Sequence, residues 1–194
     1  MIREDVHPPT LLGSRVILRR PETRDISDRL AAGRDPEFRR MVGATGPSSE
    51  SFTQRDAELW YHDLVGEPFG WAIEHNGRCI GLARLHEVGE GETSASVALG
   101  LFSPSDRGRG LGTEAVQLVL AYAFQVLNLA RLRVRVLAFN TRAIRCYNRC
   151  GFTEVGRKPV MLGDESAVDV FMDLAATDFR ASMVCPSRTQ ANTR

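Results

Sequence analysis

Apolar residues recur along this chain with two periods, and the places where the period changes divide it into elements. Residues 15–20 (Arg15-Val16-Ile17-Leu18-Arg19-Arg20) form a β-branched run closed by Pro21, which predicts a first strand. Residues 23–32 read as a short helix with Thr23 or Asp25 as cap, and Asp35-Pro36-Glu37-Phe38 restarts a helical turn with proline at its first position. Residues 43–51 are loop. Residues 53–65 carry Ala57, Trp60, Tyr61 and Leu64 at helical spacing. The period then drops to two. Residues 69–74 and 78–87 predict a hairpin around His75-Asn76-Gly77, and 94–102 adds a third strand with Val97, Leu99 and Leu101 on one face. A long apolar helix is predicted at 110–128, a half-buried strand at 132–137, a short helix at 140–150, and strands at 153–158 and 166–174 around Gly163-Asp164. The order is a strand, two helices, a three-strand meander, a long helix, a strand, a helix and a β-hairpin. It predicts one α/β domain over residues 10–180. Residues 181–194 are polar and aperiodic, and are expected to be disordered.

Composition narrows the class only slightly. Among 194 residues, 43% are hydrophobic and 25% charged, and the net charge is +1, which gives no electrostatic basis for nucleic acid or an anionic membrane as partner. The apolar stretch 115–130 contains Gln117, Gln125 and Asn128, and reads as a buried helix rather than a membrane span. The start of the chain is polar and broken by Pro8-Pro9, unlike a signal peptide. Four cysteines (Cys79, Cys146, Cys150, Cys185) include no C-x-x-C pair, so no metal site is expected and reduced thiols in a cytoplasmic protein are.

The chemistry concentrates in Ser103-Pro104-Ser105-Asp106-Arg107-Gly108-Arg109-Gly110-Leu111-Gly112-Thr113-Glu114-Ala115. Three alternate glycines between a strand and an apolar helix let backbone N–H groups converge on one concavity, to which the helix start adds partial positive charge. Arg107 and Arg109 beside those amides suit a pyrophosphate, and Leu111 packs the loop on the core. The loop lacks the lysine of a Walker motif, and it follows a meander rather than opening a βαβ unit as a dinucleotide fingerprint does.

About thirty residues on stands Asn140-Thr141-Arg142-Ala143-Ile144-Arg145-Cys146-Tyr147-Asn148-Arg149-Cys150-Gly151-Phe152. Taken alone, Asn140 suits a helix cap and Tyr147 a packing role. Together with Arg-x-x-Gly-x-Gly upstream, this segment resembles the acyl-CoA site of the GNAT superfamily of N-acetyltransferases, over roughly residues 15–175. The resemblance implies a single domain with a mixed central sheet, splayed between the third meander strand and strand 132–137 to admit CoA. It implies acetyl-CoA as co-substrate, held by Leu101, Phe102, Arg107, Gly108, Arg109, Gly110, Leu111, Gly112, Thr113 and Asn140. The amide of Leu101 or Phe102 would polarise the thioester carbonyl, and Tyr147 would be the catalytic acid that protonates the departing thiolate. Leu12-Gly13-Ser14-Arg15-Val16-Ile17-Leu18-Arg19, Phe69-Gly70-Trp71-Ala72-Ile73 with Gly81, and Gly112-Thr113-Glu114-Ala115 resemble the Rim branch, which acetylates ribosomal-protein N-termini, antibiotics, polyamines and other amines.

The implied partner is an amine-bearing acceptor, a protein N-terminus or a small molecule, and a homodimer stays open. A CoA-binding module without catalysis is the rival reading. It is kept open by a departure from the branch: residues 96–101 carry no carboxylate to serve as base. Glu87, Glu90, Glu92 and His86 are the neighbouring candidates, and a water relay is equally compatible. Without a strong base, an amine of low pKa such as a peptide α-amino group is the expected acceptor.

Overall fold

A computed structural model describes residues 8–44, 51–88 and 93–179. The tail at 181–194, Glu90, Glu92, Cys185 and the start of the chain lie outside them. Among the described residues an eight-stranded sheet runs through the molecule. Its elements in chain order are β1 (Leu11–Leu12), β2 (Ile17–Arg19), α1 (Asp25–Ala32), α2 (Pro36–Met41), α3 (Gln54–Val65), β3 (Gly70–His75), β4 (Arg78–His86), β5 (Ser94–Leu101), α4 (Leu111–Gln125), β6 (Arg131–Leu137), α5 (Thr141–Arg149), β7 (Thr153–Leu162) and β8 (Glu165–Ala175). The spatial order is β1-β2-β3-β4-β5-β6-β8-β7. Every neighbouring pair is antiparallel except β5–β6, which is parallel, so the sheet is mixed as expected.

Among the described residues three helices precede the meander, where the predicted order has two. Asp35 separates α1 from α2 by accepting hydrogen bonds from the Glu37 and Phe38 amides, and Pro36 fixes the first helical φ. Strand β7 passes through Pro159 to Leu162, beyond the predicted stop at Lys158. It is an edge strand, where a missing N–H costs no ladder bond. The β3–β4 turn uses positive φ at Asn76 (51°) and Gly77 (76°), as the Asn-Gly pair predicts.

Helix α4 is the centre of the core. Ala115, Val116, Val119, Leu120 and Ala123 are fully buried against Leu18, Trp71, Ile73, Leu132 and Val170. Each large apolar side chain so buried contributes roughly 1.5–3 kcal/mol. The opposite sheet face holds a smaller cluster of Ala72, Cys79 and Phe102 under Trp60 and Ala32. The long helix therefore presents its N-terminus to the end of β5 as a rigid platform.

Candidate active site

Strands β5 and β6 pair over three residues only, from Ser94↔Arg131 to Ser96↔Arg133, and separate beyond. The antiparallel register with β4 decides which β5 amides face the split. Phe102 donates its N–H to Ile80 O at 2.9 Å, and Leu101 stands opposite Gly81. Alternation then turns the Leu101 N–H toward the split. Of the two amides expected to polarise a carbonyl, Leu101's faces the split and Phe102's is occupied.

The loop after β5 enters α4 through Gly108 (φ 76°) and Gly110 (φ 83°), a backbone region that favours glycine. Glu114 N–H closes the first helical bond to Gly110 O at 3.1 Å. The Leu111, Gly112 and Thr113 amides lie N-terminal to it and have no intrahelical acceptor. They head a fifteen-residue helix, which makes an anion cradle. Gly112 lies close over the sheet: a Cβ there would sit 3.5 Å from Leu99 Cδ2 and 3.7 Å from Leu101 Cδ1. Leu111 packs into the core as expected, at 1% exposure.

The two loop arginines divide. Arg109 keeps an exposed guanidinium, with Asp106 at 3.8 Å. Arg107 does not extend to an open phosphate. Its Nε and Nη2 donate to Leu101 O (3.2 and 3.1 Å), Nη2 also to Phe102 O (2.9 Å), and the guanidinium pairs with Glu37 (3.1 Å) and Asp35. Arg107 therefore clamps α2 to the end of β5. Sequence reading missed this because both carboxylates lie about seventy residues upstream.

Two adjoining cavities occupy the split. The first, of about 160 Å³, runs from Gly108, Gly110 and Thr113 past Leu101 to Asn140 and Arg149. The second, of about 250 Å³, is bordered by Leu99, Leu137, Asn140, Tyr147, Leu162 and Asp169. Met41, Val42, Leu99, Asn140 and Ala143 line both. Asn140 caps α5 by accepting from the Ala143 amide (3.1 Å) and reaches Met41 O with its Nδ2 (3.4 Å), so cap and cleft contact coexist. Tyr147 is buried, its ring edge-on to Phe152 with centroids 5.5 Å apart. Burial, then the neighbouring Cys146 and Cys150 thiols, push its hydroxyl pKa up, so the proton is held at neutral pH. Cys146 lines the first cavity. Hydrogen bonds from Cys150 and the Thr113 hydroxyl (3.4 Å) hold its thiol below the ordinary range, against burial.

Of the four candidate bases near β5, Glu87 and His86 are among the described residues. Glu87 accepts from Ser96 Oγ at 2.7 Å, and His86 stands 4.0 Å from Glu67. Neither borders the cavities. Arg149, Arg142 and Asp169 do, and all three went unread in the sequence. The arginines lay inside a motif read for its Asn and Tyr, and Asp169 reaches the cleft only through strand register. Among the described residues no three His, Cys, Asp or Glu side chains group as metal ligands do, and no helix is long and apolar enough to cross a membrane.

A loop of helix-N-terminal amides thus leads into a split parallel strand pair with a buried tyrosine behind it. The Acetyltransferase (GNAT) domain family matches residues 15–153, and the chain belongs to it: a family of acetyl-CoA-dependent acyltransferases. The chain is 35% identical over 95 residues to the spermidine N(1)-acetyltransferase of Escherichia coli (strain K12), a match covering 49% of this chain and 50% of that protein. The chain thus spans about half the length of that relative. An acetyltransferase of the GNAT family from Bacillus anthracis superposes with a TM-score of 0.75 at 18% identity, covering 87% of this chain and 99% of that one. The spermidine N-acetyltransferase of Vibrio cholerae, in complex with CoA and spermine, gives 0.70 at 20% identity, covering 86% and 97%. At such identities these two structures carry the fold alone.

Proposed function

We propose that the protein moves the acetyl group of acetyl-CoA by direct transfer onto a primary amine, with a peptide or protein N-terminus as acceptor. The observation that carries this reading is the pair of adjoining cavities that share five lining residues and run from the loop amides along the β5–β6 split to Tyr147. The pyrophosphate would lie on the amides of residues 108–113 with Arg109 beside it. The Leu101 N–H would take the charge that develops on the thioester oxygen. As the C–S bond breaks, Tyr147 would give its proton to the sulfur. In a pure CoA-binding module Tyr147 would serve only to pack on Phe152.

Within the family we assign the chain to the Rim-like branch, supported by the role of Glu114, which ties the loop before β2 to the start of α4. Free thiols at Cys146 and Cys150, beside the cleft, support a cytoplasmic setting. Polyamine acetylation is the second reading, favoured by the match to the E. coli spermidine enzyme. A polycation calls for several carboxylates, however, and the described cavity linings hold one, Asp169. Release of CoA thiol from acetyl-CoA, followed over free-N-terminus peptides, lysine peptides with blocked N-termini, and spermidine, tests the proposal. Peptides with a free N-terminus should turn over fastest. Thiol release that no amine accelerates would leave only the binding module.

A further inference from the structure

We infer that Asp169 receives the acceptor amine as an ammonium ion and takes its first proton. The inference rests on the acetyl-transfer reading above and adds the group on the acceptor side of the thioester. Asp169 is the single carboxylate among the described residues bordering the two cavities; Arg135 borders the second beside it, while at the first Arg107 is paired with Asp35 and Glu37 and Arg142 with Glu37. The loop amides thus stand at one end of the cleft and its one bordering carboxylate at the other.

Register places the carboxylate. Asp169 lies opposite Leu137 across β6–β8, and both alternate with Val136 and Val170, which point into the core under α4. Leu137 and Asp169 thus occupy the sheet face turned away from α5. Tyr147 enters the same cavity from α5 itself. An acyl group seated in the split would have the tyrosine on one side and the carboxylate on the other. Direct transfer needs that arrangement, because the proton must leave nitrogen while another reaches sulfur.

The carboxylate also has capacity to spare. Asp169 is 7% exposed, yet its one described hydrogen bond comes from Arg135 Nη1 at 3.5 Å, the long limit for such a bond. Arg135 is itself 68% exposed, so solvent already meets most of its charge. Lys158 stands opposite on β7, its ammonium 5.5 Å from the Phe171 ring centroid. Helix α2 presents Met41 to the cavity, and Val42 follows it, neither charged. A carboxylate offers about four acceptor positions, and Arg135 takes one of them at long range. A primary ammonium, with three donors, fits the remainder.

The step balances. Asp169 takes one proton from the ammonium, and the freed nitrogen lone pair forms the C–N bond to the thioester carbon. The C–S pair leaves with sulfur, which takes the Tyr147 proton, and the tyrosinate recovers one from the new amide nitrogen. Asp169 returns its proton to solvent. Ammonium and acetyl-CoA become N-acetyl amine, CoA thiol and one proton.

Asp169→Asn tests this, because it keeps shape and removes charge. With a peptide acceptor whose α-amine titrates near ~7.7–8, the variant should lose at least about 100-fold in acceptor kcat/KM well below that pH. The gap should narrow as pH rises and the amine becomes neutral unaided. The thermal shift given by acetyl-CoA should be unchanged, and Asp169→Glu should recover part of the rate. A gap constant with pH, no gap, or a lost acetyl-CoA shift would overturn the role of Asp169 while leaving acetyl transfer standing. A wild-type protein that acetylates no amine would overturn both.

Discussion

Arg15 closes on Glu114 twice, donating its backbone N–H to Oε1 at 2.7 Å and its Nε to Oε2 at 2.8 Å. The Ser14 hydroxyl adds a third bond at 3.1 Å, and Arg15 Nη1 reaches on to Arg109 O at 2.8 Å. The segment before β2 is thereby pinned to the first turn of α4 and to the glycine loop together. Burial works against the Glu114 carboxylate, but the Arg15 and Ser14 hydrogen bonds outweigh it and hold its pKa below the usual range.

A depressed folded pKa stabilises the protein above the unfolded value near ~4.3, and that stabilisation is lost as pH falls through the folded value. Glu114→Gln should cost about 2 kcal/mol near neutrality. Urea unfolding of both proteins between neutral pH and pH ~3 checks this, because the difference between them should shrink toward the acid end. A difference that stays constant over that range would remove the ionic part of the account.

The loop glycines separate backbone strain from ligand contact. Gly108 and Gly110 both have positive φ, so alanine at either costs about 1–2 kcal/mol. A methyl at Gly108 meets open space, whereas one at Gly110 lies 3.1 Å from Arg15 Nη2, beside the anion cradle. Both variants should melt lower. Gly110→Ala should in addition lose most of the rise in melting temperature that acetyl-CoA gives the parent. A full rise in that variant would move the pyrophosphate away from the loop.

Tyr147 should act in turnover and not in cofactor binding, because its interaction with sulfur grows only as the C–S bond breaks. Tyr147→Phe keeps the edge-on contact with Phe152. It should lower kcat by roughly ten- to a thousandfold and leave the KM for acetyl-CoA nearly unchanged. Steady-state kinetics decides it, and an unaltered kcat would return Tyr147 to a packing role.

What could be read along the chain was whatever local physics fixes. The Asn76-Gly77 turn, the apolar run of α4 and the glycines at its entrance each state their conformation within a few residues. Strand β1 is two residues long and too short for any periodicity. Strand β7 passes Pro159 because of its place at the sheet edge, a fact of topology and not of its own residues. The site divides likewise. Gly110, Asn140 and Tyr147 belong to compact motifs and stand in the cleft. Asp169 comes to the cleft through the β6–β8 register, from a strand whose sequence resembles any half-buried strand.

Arg107 gives the sharpest separation of two roles. As a phosphate ligand its loss would weaken acetyl-CoA binding and barely touch stability. As found, it satisfies two carbonyls at the end of β5 and the carboxylates of Asp35 and Glu37, with only 10% of its side chain exposed. Removing one partner of a buried pair leaves the other uncompensated, which costs about 3–5 kcal/mol. In a domain of this size that is a fall of roughly 6–20 °C in melting temperature. Arg107→Gln should show such a fall, together with a raised KM for the acceptor, because α2 places Met41 along the second cavity, which Asp169 also borders. The increment in melting temperature from saturating acetyl-CoA should stay close to the parent's, since Arg109 and the loop amides remain. A variant that melts with the parent but no longer responds to acetyl-CoA would restore Arg107 to the phosphate.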